Sequence, residues 1–524
     1  MSARGPLPRG VLGLGCAVVA VLAGLACARA DVPAIPESST GSPSASHATE
    51  AVAATRPPPT IGVSASPTPT PHQPEPVLSP TLPPTPTLPA EVQPESVLYA
   101  AQPGDTLRAL AVRFGVLPQD IQSSSLLSPD EEALIDPDQL LFIPRRLGET
   151  GPADRVIPDS EVVDSPHAAD FEANAIAEQY GGYLSRYQEY LGNRWYDGPD
   201  VVELAARDNS FNPRLLLALL EYLAGWVTDA ARPLGDAWQY PMGQVDPQIQ
   251  GLYRQLTWLS NALGEGYYGW RSGTLTELTF EDGSVVRLAP ELNAGTVALQ
   301  YVLARYSSGR EWAAAVGPDG FVATYRRLLG DPWSYAHPLY EPGLRQPPMI
   351  LPFIPGHVWA FSGGPHGAWE KDAAWAALDF SPPSVEPGCV ESSEWVVASA
   401  PGLIVRSGGG VVVLDLDGDG REQTGWVLLY LHIAARGRVA AGAFVEEGDL
   451  IGHPSCEGGI ASGTHVHIAR KYNGEWVLAD GPLPFELSGW VAEAGSKAYQ
   501  GALVNGDRRV LACPCASFET RIWR

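Results

Sequence analysis

The period of the apolar positions changes repeatedly along the chain, and each change marks a segment. An unbroken apolar run covers residues 11–26, with Arg4 and Arg9 before it and Ala28-Arg29-Ala30 after it. Basic residues, a short apolar stretch and a small-x-small site make residues 1–30 an export signal, not a lasting membrane span. Residues 31–95 carry little apolar pattern and read Pro67-Thr68-Pro69-Thr70-Pro71 and Pro83-Pro84-Thr85-Pro86-Thr87. Such a stretch cannot bury a core and forms an extended tether. Periodicity returns over residues 96–147. Leu98-Tyr99 reads as a strand, Leu107, Leu110, Ala111 and Phe114 as one helix face, and Leu140-Leu141-Phe142-Ile143-Pro144 as a closing strand. The turn Pro103-Gly104-Asp105-Thr106 offers an N-cap, and a second short helix is expected near residues 118–123. This unit is a small βααβ fold.

Residues 165–335 read as mostly α-helical. Tyr180, Tyr183, Tyr187 and Tyr190 recur at helical spacing, which puts four phenols on one face. Asn212-Pro213 caps a buried helix that begins Leu215-Leu216-Leu217. Leu252, Leu256, Leu259 and Leu263 mark another helix, residues 293–306 a third, and Glu281-Asp282-Gly283-Ser284 a hairpin. Tyr267, Tyr268 and Trp270 fall in a Gly-rich loop suited to sugar stacking or to covering a domain junction. From residue 346 to 524 short apolar runs alternate with Gly-rich turns, at 395–399, 403–407, 411–416, 426–433 and 465–471. That pattern predicts a mainly antiparallel β domain.

The 524 residues carry a net charge of −25, so neither nucleic acid nor an anionic membrane surface is an expected partner. Length suggests three or four domains. Of the six cysteines, Cys16 lies in the export signal. Cys27 raises lipid attachment, since bacterial lipoproteins are cut before a cysteine, although Gly24 stands where Leu is usual. Free secretion and a lipid anchor both stay open, and the anchor is the one membrane contact expected. Cys389, Cys456, Cys513 and Cys515 remain, an even number that favours disulfides in an exported chain. Asp415-Leu416-Asp417-Gly418-Asp419-Gly420 places carboxylates like a Ca2+ loop, but Trp426 stands where the bidentate Glu belongs. Calcium there competes with a plain acidic turn.

The candidate chemistry gathers on histidines. His465 and His467, separated by one apolar residue at the start of a strand, leave from the same face. His366, Asp379 thirteen positions later, and His432 at the end of an apolar run keep them company. Two histidines and one carboxylate with an open fourth position make a catalytic zinc arrangement.

On these motifs residues 346–524 resemble the lysostaphin-type zinc endopeptidases that cleave bacterial cell-wall peptides, and the β-lytic and staphylolysin branch in particular. That branch has a long insertion between the first His and the Asp, here residues 367–378, and Cys456-Glu457-Gly458-Gly459 ahead of Ser462-Gly463-Thr464-His465-Val466-His467. Thr464 departs from the Pro usual before the first of these histidines. The resemblance implies one Zn2+ held by His366, Asp379 and His467, with His465 and His432 as the catalytic pair. Cys389 with Cys456 is the expected pairing across the groove it implies; the tight pairing of Cys513 with Cys515 stays open, and a second zinc at these thiols is disfavoured in an oxidising compartment.

Residues 96–147 resemble a LysM module, which implies glycan binding at the Gly104, Asp105 and Thr106 turn; Ser123-Ser124-Ser125 replace an Asn common after its second helix. Residues 212–226 resemble, more faintly, the lysozyme-like fold, but the catalytic Glu-Ser falls on Leu223-Ala224, and Glu221 points away round the helix. That domain is expected to be a non-catalytic scaffold. The reading is an exported, cell-envelope zinc metalloendopeptidase acting on peptidoglycan near Gly or Ala; the competing class is a catalytically silent wall-binding protein.

Overall fold

Tyr99, Leu110, Phe114, Leu141 and Ile143 close a small core around the helix Leu107–Phe114. In this computed structural model, which describes residues 96–370, 373–384, 386–390, 392–515 and 517–524, that core opens the chain. The export signal, the tether and Cys27 lie outside the described residues. Thr106 caps the helix, its hydroxyl accepting from the Ala109 amide at 3.1 Å, and Gly115 ends it at φ 65°. The second helix of the expected βααβ unit is only a single 3-10 turn, Pro118–Asp120. Ile121 turns extended at φ −82°, ψ 122°, and passes the chain to a short strand, Gln122–Ser123. The sheet is therefore three-stranded, with Leu140–Pro144 between the other two strands.

The middle region holds seven helices among the described residues, from Ala173–Tyr180 to Phe321–Leu329, and two hairpins. Asn212 caps Pro213–Ala224 by accepting from the Arg214 amide at 2.9 Å, and the leucines at 215, 216, 217, 219 and 220 are fully buried. The four tyrosines do not share a helix. Gly181, at φ 64°, ends the first helix at Tyr180, and Gly182 lies so close to the Trp226 and Val227 backbone that no Cβ fits. Tyr183 and Tyr187 instead pack on the Trp226 ring at 4.9 and 5.1 Å, and Tyr190 lies on the strand Gln188–Leu191. Tyr267, Tyr268 and Trp270 stand not on a loop but in the helix Leu252–Ser272. Glu221 accepts from the Val227 and Thr228 amides at 3.0 and 3.1 Å, which makes it a stay for that loop.

The C-terminal region is built on a nine-stranded antiparallel sheet, with a four-stranded sheet from 486 to 511 against its edge. Among the described residues no helix is long and apolar enough to cross a membrane. The helical region grips the large sheet at the hairpin that follows the strand Val466–Tyr472. Glu475 accepts there from Tyr267 at 2.8 Å, Tyr340 at 3.0 Å and Arg271 at 3.0 Å, and the Trp476 indole donates to the Asn209 carbonyl at 3.2 Å. At its other side the helical region meets the first unit. Arg113 donates to the Trp270 carbonyl at 2.8 Å and to Asp105 at 2.7 Å.

Candidate metal centre and catalytic histidines

Three adjacent strands bring the site together through their register. His467, on Val466–Tyr472, pairs with Asp379 of Ala377–Ser381, and residues paired across an antiparallel ladder share a face. His465, two positions before His467, shares that face too. His366 reaches it by a bulge. Gly363 pairs with Asp379, and the next pair is His366 with Ala377, so one extra residue is inserted between them in the strand Trp359–His366. Without that residue Pro365 would take the place and His366 would turn to the other face. Gly363 is required on the same ground: a Cβ there would lie 2.5 Å from Asp379 Oδ2. His432 follows the strand Trp426–Leu431 in the left-handed region, φ 66°, where a non-glycine residue is uncommon. Ser455 holds that turn, its amide and hydroxyl both donating to the His432 carbonyl, at 2.7 and 2.9 Å.

Asp379 Oδ1 stands 3.3 Å from His366 Nε2, 3.3 Å from His467 Nδ1 and 3.7 Å from His465 Nε2. Each imidazole is fixed from behind by a backbone carbonyl. His366 Nδ1 donates to Gly364 at 2.8 Å, His467 Nε2 to Ala368 at 2.9 Å, His465 Nδ1 to Gly463 at 2.8 Å and His432 Nδ1 to Glu457 at 2.9 Å. A nitrogen that donates N–H leaves the other as a bare lone pair. His366 Nε2 and His467 Nδ1 therefore face each other with lone pairs at 3.0 Å. Asp379 Oδ1 is buried and no hydrogen bond meets it. Two lone pairs and an orphaned carboxylate oxygen call for a cation between them. The separations of 3.0, 3.3 and 3.3 Å match the edge of about 3.3 Å that a tetrahedral zinc site spans with bonds near 2.0 Å. Among the described residues, these three form one of two groups able to hold a metal ion.

The same groups perturb one another's titration. Burial would push the Asp379 carboxyl up, but the imidazoles of His366, His467 and His465 outweigh it and hold the group well below the usual carboxylate range. Burial pulls His366 down and Asp379 more than reverses it, so that ring ends up above the ordinary histidine value. Burial, helped by His465 and His467, draws His432 down to about 4. His432 is neutral at pH 7 and leaves its Nε2 as a base beside His465, ring centres 4.4 Å apart.

The other nominated residues fare differently. Asp415, Asp417 and Asp419 form the second group. Their carboxylates already accept within the turn: Asp415 from the Gly420 amide at 2.9 Å, Asp417 from Asp419 at 3.1 Å, Asp419 from Arg421 at 2.8 Å. Cys389 and Cys456 lie within bonding distance, as do Cys513 and Cys515. Gly104, Asp105 and Thr106 are buried. Gly104 lies under the Arg271 guanidinium, Asp105 is 1% exposed and shared by Tyr99 and Arg113, and the Thr106 hydroxyl is spent on its cap. The sequence reading missed Tyr499, whose ring stacks on His366 at 4.1 Å, because it sits 133 positions away with no motif around it. It also missed the use of Thr464, which accepts from the Val390 amide at 2.9 Å and so ties its loop to the segment after Cys389.

Residues 99–144 match the family described as LysM domain, and residues 155–342 the family described as LasA, N-terminal domain. Two curated relatives are the Protease LasA of Pseudomonas aeruginosa strains UCBPP-PA14 and PAO1. Each is 25% identical to this chain over 52% of its length, and the chain spans 65% of the length of each. Among solved structures, the M23 metalloprotease pseudoalterin from the deep sea is 24% identical, covering 34% of this chain and 98% of its own, with a TM-score of 0.27. A zinc-containing peptidase from Vibrio cholerae is 18% identical over 28% of this chain and 38% of its own, at 0.17. In chain order, then, a match to the LysM domain model and a match to the LasA N-terminal domain model precede the histidine-bearing sheet, and just over half of the chain is similar to the LasA proteases.

Proposed function

We propose that this chain is an exported zinc endopeptidase that hydrolyses peptide bonds of bacterial peptidoglycan. In this reading residues 96–147 are the wall-binding LysM module, 165–335 the helical domain and 346–524 the peptidase. His366, Asp379 and His467 hold one zinc ion; His465 and His432 move protons. The observation that carries the reading is the orphaned Asp379 Oδ1 among imidazole lone pairs fixed by backbone carbonyls.

A zinc ion bound there supplies a Lewis acid towards the scissile carbonyl and acidifies the attacking water. The chain's own residues do the rest. His465 Nε2, free because Nδ1 is committed to Gly463, accepts the water's proton. The imidazolium so formed, or His432 once it has taken that proton, donates to the oxyanion and then to the leaving amine. Their closeness lets one transferable proton serve both rings. Because Gly104 lies under the Arg271 guanidinium while Asp105 and the Thr106 hydroxyl are spent on bonds within the module, glycan contact falls to the exposed remainder of the LysM module. Calcium at Asp415, Asp417 and Asp419 gains no support beyond their nearness, since the turn already uses its carboxylates.

The test uses purified sacculi. The wild-type chain releases peptide fragments detectable by mass spectrometry and carries one zinc per chain; His465→Ala keeps the zinc and releases none. Cleavage by the variant refutes His465 as the base. A wild-type chain that holds no zinc refutes the metal reading.

A further inference from the structure

The loop between Cys456 and Thr464 is tied at both ends and bare in the middle. At its start Cys456 lies within bonding distance of Cys389, the Glu457 carboxylate accepts from the Ala435 amide at 2.9 Å, and the Glu457 carbonyl accepts from His432 Nδ1 at 2.9 Å. At its end the Thr464 amide donates to the Gly388 carbonyl at 3.1 Å, and the Thr464 hydroxyl accepts from the Val390 amide at 2.9 Å and donates to the Val390 carbonyl at 2.6 Å. Between these ties the chain reads Gly458-Gly459-Ile460-Ala461-Ser462-Gly463. Ile460 is the one large side chain of that stretch.

Ile460 is 101% exposed, so it adds nothing to the core. Lone apolar residues on a surface are ordinary, and exposure alone would mean little. Its place is what matters. Gly459 lies against a catalytic ring: a Cβ there would stand 3.2 Å from His432 Cε1 and 3.6 Å from the Leu431 side chain. Consecutive Cα atoms are about 3.8 Å apart, which puts the Ile460 Cα within about 9 Å of that ring. An extended peptide covers about 7 Å in two residues. His432 and His465 hand their proton to the leaving amine, so this loop borders the residues that follow the scissile bond.

We propose that Ile460 is a specificity-determining residue: its side chain packs on an aliphatic side chain carried by the first or second residue after the scissile bond, and favours Ala over Gly there. The small residues on either side of Ile460 leave room for a peptide backbone, and a single apolar knob suits a single methyl better than a large side chain. The ties at both ends hold the knob in place before substrate arrives, so little freedom is lost on binding. The inference deepens the peptidase reading above and rests on it.

The experiment compares kcat/KM of the full chain on synthetic peptides built around the bond it cleaves in sacculi, with Gly or Ala at the first or second position after that bond. Burying one methyl is worth about 4-fold, and the wild type is expected to favour Ala by about that factor at one of the two positions. Ile460→Ser should bring that ratio to about 1, the loss falling on the KM of the alanine peptide, and Ile460→Val should keep most of the preference. Leu234→Ser, at a residue 90% exposed in the helical region, should keep the wild-type ratio. Because Ile460 is fully exposed, its variants should also keep the wild-type unfolding midpoint and zinc content, which separates a substrate contact from a structural one. A wild type that treats Ala and Gly alike at both positions overturns the proposal. So does a preference that survives in Ile460→Ser, or one lost equally in Leu234→Ser. A wild type that releases nothing from sacculi would instead sink the peptidase reading, and this inference with it.

Discussion

Gly363→Ala tests whether the site is as tightly set as its register implies. The new methyl would sit 2.5 Å from Asp379 Oδ2 and 3.0 Å from its Cβ and Cγ, where ordinary contact begins at 3.4 Å. One of the two strands must yield by roughly 0.9 Å at the closest pair. The carboxylate has nowhere to go on its far side, because Oδ1 already stands 3.3 Å from His366 and from His467. Overpacking of this kind costs about 1–3 kcal/mol. A ligand displaced by most of an ångström loses its place in a site with tolerances near 0.2 Å, so zinc affinity should fall by at least about 100-fold. Thermal unfolding of the metal-free chain gives the first quantity and chelator competition the second. A Gly363→Ala chain with wild-type zinc affinity would falsify the claim that the Gly363–Asp379 pairing shapes the centre.

Burial pushes the Glu161 carboxyl up to about 7, although Tyr325, Arg214 and Asn212 pull the other way. A carboxyl raised in the fold keeps its proton between about pH 4.5 and 7 while the unfolded chain has lost it, so stability falls as pH rises through that window, by at most about 3 kcal/mol. Glu161→Gln should remove its share of that slope in urea midpoints between those pH values, while the other raised carboxyls, Asp164 and Asp415 at about 6 among them, keep theirs; an unchanged slope counts against the assignment. Gly474, at φ 77°, lies against the Asp164 carbonyl with no room for a methyl. Backbone cannot give on either side, so Gly474→Ala should part the hairpin from the helical region at a cost of at least about 3 kcal/mol and expose the joint to limited proteolysis. Wild-type protease resistance in that variant would show that the joint does not depend on this contact.

Much of the site was legible because the period of a strand is short-range information. His465 and His467 needed only the two-residue repeat to be placed on one face. What joined them to Asp379 was not legible, since register is set by partners across the sheet and the inserted residue between Gly363 and His366 leaves no mark in composition. The left-handed turn at His432 was hidden for a related reason: Ser455, twenty-three positions on, holds it. The tyrosine series shows the opposite failure. A 3, 4, 3 spacing looked helical, yet Gly181-Gly182 decided the matter through close approach to Trp226 and Val227, a contact that local pattern does not contain. The LysM-like turn was read correctly as a cap, but Arg113 and Arg271, one near and one distant in sequence, cover it.

The bulge carries a consequence for how this segment can vary. Losing a single residue between Gly363 and His366 would leave the strand its length of apolar surface and its ladder of hydrogen bonds, yet send the imidazole to the far side of the sheet. Chain length is therefore under the same restraint here as side-chain identity. Deletions that elsewhere in the sheet would merely trim an end are, at this point, equivalent to removing the histidine itself.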